Sequence, residues 1–134
     1  MSLKEKIAGL HAERMGKPLS DGLQETLKKS QLDDILDELL SIGGLKLSRE
    51  ILEDGNKLLL VIHWPSKDGG ALNQIILSVR AERIAIIAGA DRDHDFISLE
   101  EENRFDREKI EDVLAQKFLD PTKVSPVIRS VPRE

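Results

Sequence analysis

Two stretches of this chain are apolar at consecutive positions, and each is bounded by a turn signal. Residues 57–64 read Lys-Leu-Leu-Leu-Val-Ile-His-Trp and stop at Pro65, while Ile84, Ile86 and Ile87 follow a short break at Ala81-Glu82. A strand that is apolar on both faces belongs in the interior of a sheet, between two neighbours. The remaining strands are placed around these two. Leu45, Leu47, Arg49 and Ile51 alternate with Lys46, Ser48 and Glu50, the pattern of a half-exposed strand. Asp54-Gly55 then predicts a two-residue hairpin turn, because both residues tolerate positive φ. After a loop over 66–70, residues 72–80 and 83–88 predict a second hairpin. Residues 96–99 read as a short fifth strand or as the approach to a helix.

Helices flank this central region. Ser2-Leu3-Lys4-Glu5 fits a capping box for a first helix carrying Leu3, Ile7, Leu10 and Met15, ended by Gly16 and Pro18. Ser20 or Asp21 starts a second helical region with Leu23, Leu27, Leu32, Ile35, Leu36, Leu39 and Leu40 on its buried face. Its phase slips near Ser30, where Ser30-Gln31-Leu32-Asp33 offers a new cap, so the region is one kinked helix or two. Gly43-Gly44 stops it. Asp106 is a candidate N-cap for a helix with Ile110, Val113, Leu114 and Phe118 on its buried side, closed by Asp120-Pro121. The tail over 124–131 is extended because Pro126 and Pro132 exclude helix, either as an edge strand or as a loose terminus.

The order helices, two sequential hairpins, helix predicts an α+β class. N-terminal helices and a C-terminal helix cover one face of a four- to five-stranded, mainly antiparallel sheet. The organisation expected is one domain over 1–134, with a helical region at 1–43, the sheet at 44–99, a helix at 106–119 and an extended tail at 120–134. With aromatic residues at only 3% of the chain, Leu, Ile and Val must carry the packing. Cysteine is absent, which removes disulfides, thiolate metal sites and a cysteine nucleophile. No apolar run approaches the ~20 residues that span a bilayer, and no signal core follows Met1, so the cytoplasm is the expected compartment and no membrane partner is expected.

Charge is concentrated in one place. Between 91 and 106 lie seven acids and two bases, an excess equal to the net charge of −5 for the whole chain. The balanced remainder has no lysine or arginine stripe, which argues against a nucleic-acid partner. Asp91, Asp93 and Asp95 alternate as the first ligands of an EF-hand calcium loop do, and Glu102 falls where that loop uses a bidentate glutamate. Phe96 stands where the loop needs glycine, and a strand precedes it, so a true EF-hand is excluded. A non-standard Ca²⁺ or Mg²⁺ site at Asp91, Asp93, Asp95 and Glu102 is the metal reading, beside the simpler one of a solvated loop. His63 meets His94 if residues 57–64 lie beside residues 83–88, giving a second candidate group. Trp64 before Pro65 is either an exposed partner anchor or the lid of one end of the core.

No glycine-rich phosphate loop, nucleophile elbow or HExxH motif is present. The leading functional expectation is therefore a non-enzymatic interaction or accessory module that binds a protein partner or a second copy of itself. Its physical basis is that two strands are apolar on both faces while three short helices cover only one. The competing expectation is a divalent-metal or small-ligand domain centred on 91–95. A third is an enzyme whose groups assemble without a local signature.

Overall fold

The computed structural model describes residues 19–67 and 70–124. The first helix predicted from Leu3 to Met15, and the tail beyond Val124, lie outside the described residues. The chain runs through helices α1 (Asp21–Ser30) and α2 (Leu32–Leu40), strands β1 (Lys46–Leu52), β2 (Lys57–Pro65), β3 (Leu72–Arg80), β4 (Arg83–Ala88) and β5 (Asp93–Ser98), helix α3 (Arg107–Leu119), and a short strand β6 (Thr122–Val124). All strand pairs are antiparallel. The sheet order is β1-β2-β3-β4-β5, a meander in which sequence neighbours are spatial neighbours. β6 pairs with the first residues of β3, Leu72↔Val124 to Gln74↔Thr122, beyond the end of β4. The expected α+β class stands, with the C-terminal helix on one face.

The register decides which side chains meet the helices. Leu58↔Val79, Leu60↔Leu77 and Ile62↔Ile75 align across β2 and β3, and Val79↔Ile84 and Leu77↔Ile86 carry the same row into β4. Ile84↔Ile97 extends it into β5. All these side chains are essentially sealed from solvent and form one core with Leu23, Leu32, Ile35, Leu36, Ile110 and Leu114 from the three helices. The helices therefore share one face of the sheet. β2 and β4 are interior strands, as their two-sided apolar character predicts.

Between α1 and α2 the chain breaks at Gln31, which is left-handed at φ 56°. That single residue absorbs the phase slip between Leu27 and Leu32, so both apolar stripes reach the same core. The cap expected at Ser30 does not form. Ser30 is fully buried and donates its hydroxyl to Leu27 O at 3.3 Å, and Gln31 stands at the start of α2 without a side-chain cap. Ser20 does cap α1, accepting from Leu23 N at 3.3 Å, and Asp106 caps α3, accepting from Lys109 N at 3.3 Å.

The Asp54-Gly55 turn is longer than predicted. Leu52↔Lys57 is the last β1–β2 pair, so 53–56 form the connection, with Glu53, Asp54 and Gly55 at φ 53°, 55° and 93°. Non-glycine residues adopt this region at a cost, and two do so here in succession. The Ala81-Glu82 turn does have two residues, closed by Arg80↔Arg83. This turn is docked onto α1 at very close range. Thr26, 2% exposed, accepts from Glu82 N at 2.7 Å and donates to Gly22 O at 2.9 Å. A Cβ on Gly22 would come within 2.9 Å of the Ala81 Cβ, so only glycine permits this approach.

Two outcomes follow for equilibrium urea unfolding. Thr26→Val leaves the Glu82 amide without its acceptor and lowers stability by about 1–2 kcal/mol, whereas Thr26→Ser retains most of it. Leu77→Ala empties a fully buried position and costs about 2–5 kcal/mol. Ile76→Ala, one residue away on the opposite face, costs less than half as much; equal losses would contradict the one-sided core.

Candidate interaction face on the open side of the sheet

The alternation that sends Leu58, Leu60 and Ile62 to the helices sends Leu59, Val61 and His63 the other way. Ile76 on β3 and Ile87 on β4 are paired directly and belong to this second face, with Val61 opposite Ile76. Leu59, Val61, Ile76 and Ile87 are half-buried, Ala85 is buried, and Phe96 on β5 is 48% exposed. Among the described residues no helix covers this face.

The lower end of the face, where β2 starts and β3 turns into β4, is cationic. Arg80 and Arg83 stand directly opposite each other, an unfavourable pairing for like charges unless each finds another partner. Arg80 turns to Glu53, which receives both guanidinium Nη atoms, one of them at 3.1 Å. These hydrogen bonds hold the Glu53 carboxyl below its ordinary pKa and raise that of Arg80. Arg83 instead lies over the Phe96 ring, 3.9 Å from its centroid, a cation–π contact. His94 approaches the same ring at 5.9 Å between centroids. Lys57, Arg80, Arg83, His94 and Phe96 rim a hollow of about 240 Å³ whose floor includes Leu59, Ala85 and Ile87.

The residues singled out in the sequence are dispersed by this architecture. Asp93 and Asp95 lie in β5 rather than in a loop, opposite Ala88 and Ile86, on the helix side. Asp95 pairs at 2.8 Å with Lys117 of α3, a lysine buried except for about a tenth of its side chain, which also donates to Asp93 O at 3.2 Å. Asp91 sits in the β4–β5 turn and Glu102 in the loop before α3, where it pairs with Arg104 at 2.7 Å. Among the described residues no three His, Asp or Glu side chains stand together in a group able to hold a metal ion. The fifth strand begins at Asp93 rather than Phe96, so the alternating carboxylates mark a strand.

His63 and His94 do not meet. β2 lies beside β3, not β4, and two strands separate the histidines. Trp64 faces inward and stacks on Phe118 of α3, with centroids 4.8 Å apart and planes at 27°. It closes that end of the core. A hollow of about 660 Å³ lies between the start of α3 and the loop carrying Glu100, Glu101 and Glu102. Its arginines are engaged: Arg107 binds Asp34 and Glu111 at 2.8 Å each, contacts that raise its pKa, and Gln31 at 2.7 Å.

Sequence reasoning missed the grouping of Lys57, Arg83 and Phe96. The two-residue turn fixes Arg80 opposite Arg83 and was a usable signal. Phe96 stood in the short fifth strand read over 96–99, and its place beside Arg83 required the pairing of that strand with β4. No protein-family model, no curated protein and no solved structure matches the chain. Among the described residues no helix is long and apolar enough to cross a membrane.

The Glu53–Arg80 pair has a measurable pH signature. A carboxylate whose folded pKa is depressed contributes stability above its unfolded pKa and loses it as pH falls through the folded value. Glu53→Gln therefore melts at a lower temperature than the parent at pH 7. The gap closes as the pH is taken below the ordinary carboxylate value of 4.5. A gap that stays constant with pH would show that the ion pair is not its source.

Proposed function

We infer that this protein is a non-enzymatic interaction module that engages a protein surface, either a partner or a second copy, through the open face of its sheet. The observation that supports this reading is the row Leu59, Val61, Ile76, Ile87 and Phe96, contiguous across four strands and uncovered among the described residues. Contiguous apolar surface of this kind favours burial, at roughly 25 cal/mol for each Å² removed from water. Sheet faces bury such rows by packing on another sheet or helix about 10 Å away.

Sedimentation velocity of the full chain over a concentration series, paired with titration by the apolar dye ANS, tests this. The comparison variant is Ile76→Thr/Ile87→Thr, which keeps β-branched shapes while removing apolar contact. A concentration-dependent dimer abolished in the variant identifies a second copy as the cover. A monomer that binds ANS through the face, with the signal lost in the variant, supports a different partner. A monomer that binds no dye and is indifferent to the substitutions has its face covered within the chain, and the reading fails.

A further inference from the structure

The open face differs in charge from the rest of the molecule. Its strand positions carry Lys46, Lys57, Arg80 and Arg83 against a single carboxylate, Glu50, in a chain of net charge −5. The helix side is the reverse, with Asp33, Asp34, Asp37 and Glu38 on α2 alone. Within the open face the cations gather at the hollow between β2, β3 and β4. Arg80 is neutralised there by Glu53. Neither Lys57 nor Arg83 forms an ion pair with any described carboxylate, and Arg83 is held in place over Phe96. Lys57 acts on the Glu53 carboxylate at longer range, without a direct ion pair, so the two cations flank an apolar floor with Arg80 and Lys57 sharing a single acid.

We propose that this end of the sheet binds an acidic, aliphatic-rich segment of a partner protein. A carboxylate of the segment sits between Lys57 and Arg83 while its neighbouring apolar side chains lie on Leu59 and Ile87. The proposal rests on the reading of the open face as an interaction surface and specifies its partner. At about 240 Å³ the hollow is smaller than the roughly 300–1,000 Å³ of small-molecule sites, and suits one or two side chains of a larger body. Single-stranded nucleic acid stacks on successive aromatic rings, and this face offers one exposed phenyl ring, with one side taken by Arg83 and the His94 imidazole tilted against it rather than set as a second platform. A bare phosphate would leave the aliphatic row wet. A carboxylate carried among aliphatic residues satisfies both parts, and arginine pairs with it in a bidentate geometry.

Panning the full-length protein against a phage-displayed library of random short peptides tests the proposal. Enriched sequences are expected to combine Asp or Glu with Leu, Ile, Val or Phe. Synthetic copies should bind about tenfold or more weakly to Arg83→Glu and to Lys57→Glu, lose affinity as salt is raised, and bind Lys28→Glu on α1 as they bind the parent. Circular dichroism confirms that each variant is folded. Peptides enriched without acidic residues, indifferent to Arg83→Glu but lost in Ile76→Thr/Ile87→Thr, overturn the proposal and leave the interaction face standing. No enrichment, or binding that survives both kinds of substitution, overturns the acidic-segment proposal, while the sedimentation and dye series decides the interaction face on its own.

Discussion

The pairing register of β2 with β3 is the constraint on which the rest of this structure depends. In β2 both alternating sets are aliphatic: Leu58, Leu60 and Ile62 face the helices, and Leu59 and Val61 face away. A slip of one residue would exchange the sets, and β2 by itself would object little. Its neighbours supply the asymmetry. On β3 and β4 the helix side carries Leu77, Val79, Ile84 and Ile86, while the other side carries Ser78, Arg80 and Arg83. A register that turned Arg80 and Arg83 inward would bury two guanidinium groups without partners, at a cost far above that of any single apolar contact. The hairpin of β3 and β4 therefore orients the sheet, and β2 follows.

Once the sheet is oriented, burial provides the stability and polar contacts provide the alignment. Each fully buried aliphatic side chain contributes about 1.5–3 kcal/mol, whereas a typical internal hydrogen bond contributes about 1 kcal/mol net. The contacts from Thr26 to Glu82 and from Lys117 to Asp95 are few against the number of sealed Leu and Ile residues. Their positions are informative. Thr26 fixes α1 over the turn at one end of the sheet, and Lys117 fixes α3 over β5 at the other. Trp64 on Phe118 seals the same end of the sheet as Lys117, over β2 rather than β5. The helix layer is fastened at its corners, and the opposite face receives no such fastening from the described residues.

Much of this fold was legible in the sequence because hydrophobic periodicity and turn chemistry are local. Interior strands at 57–64 and 84–88, the Ala81-Glu82 turn and the Asp106 cap all follow from neighbours within a few residues. The misread features have a common cause, since each depends on what lies across from a residue. Asp93 and Asp95 read as loop residues, whereas they sit in β5 beneath Lys117, a residue over twenty positions away that pairs with Asp95. The cap expected at Ser30 gave way to a buried hydroxyl because packing claimed that position. His63 and His94 were brought together on paper by assuming that β2 neighbours β4, and strand order cannot be read from periodicity. The open face was foreseen as an excess of apolar residues. Its cationic end was not, because Lys57, Arg83 and Phe96 come from three strands.

The meander also bears on how the chain reaches this state. Each strand from β2 to β5 pairs with the strand just before it in sequence, and only the short β6 returns to β3, so the connections closed along the meander are short and their entropic cost is small. Such local topologies search few arrangements and fold quickly for their strand content. The exceptions are the bonds that fasten the helix layer: Thr26 to Glu82 spans 56 residues and Arg107 to Gln31 spans 76. The sheet can assemble from consecutive pieces before those long closures are made. During that interval both of its faces are wet, and of the two, the described helices eventually dry only one.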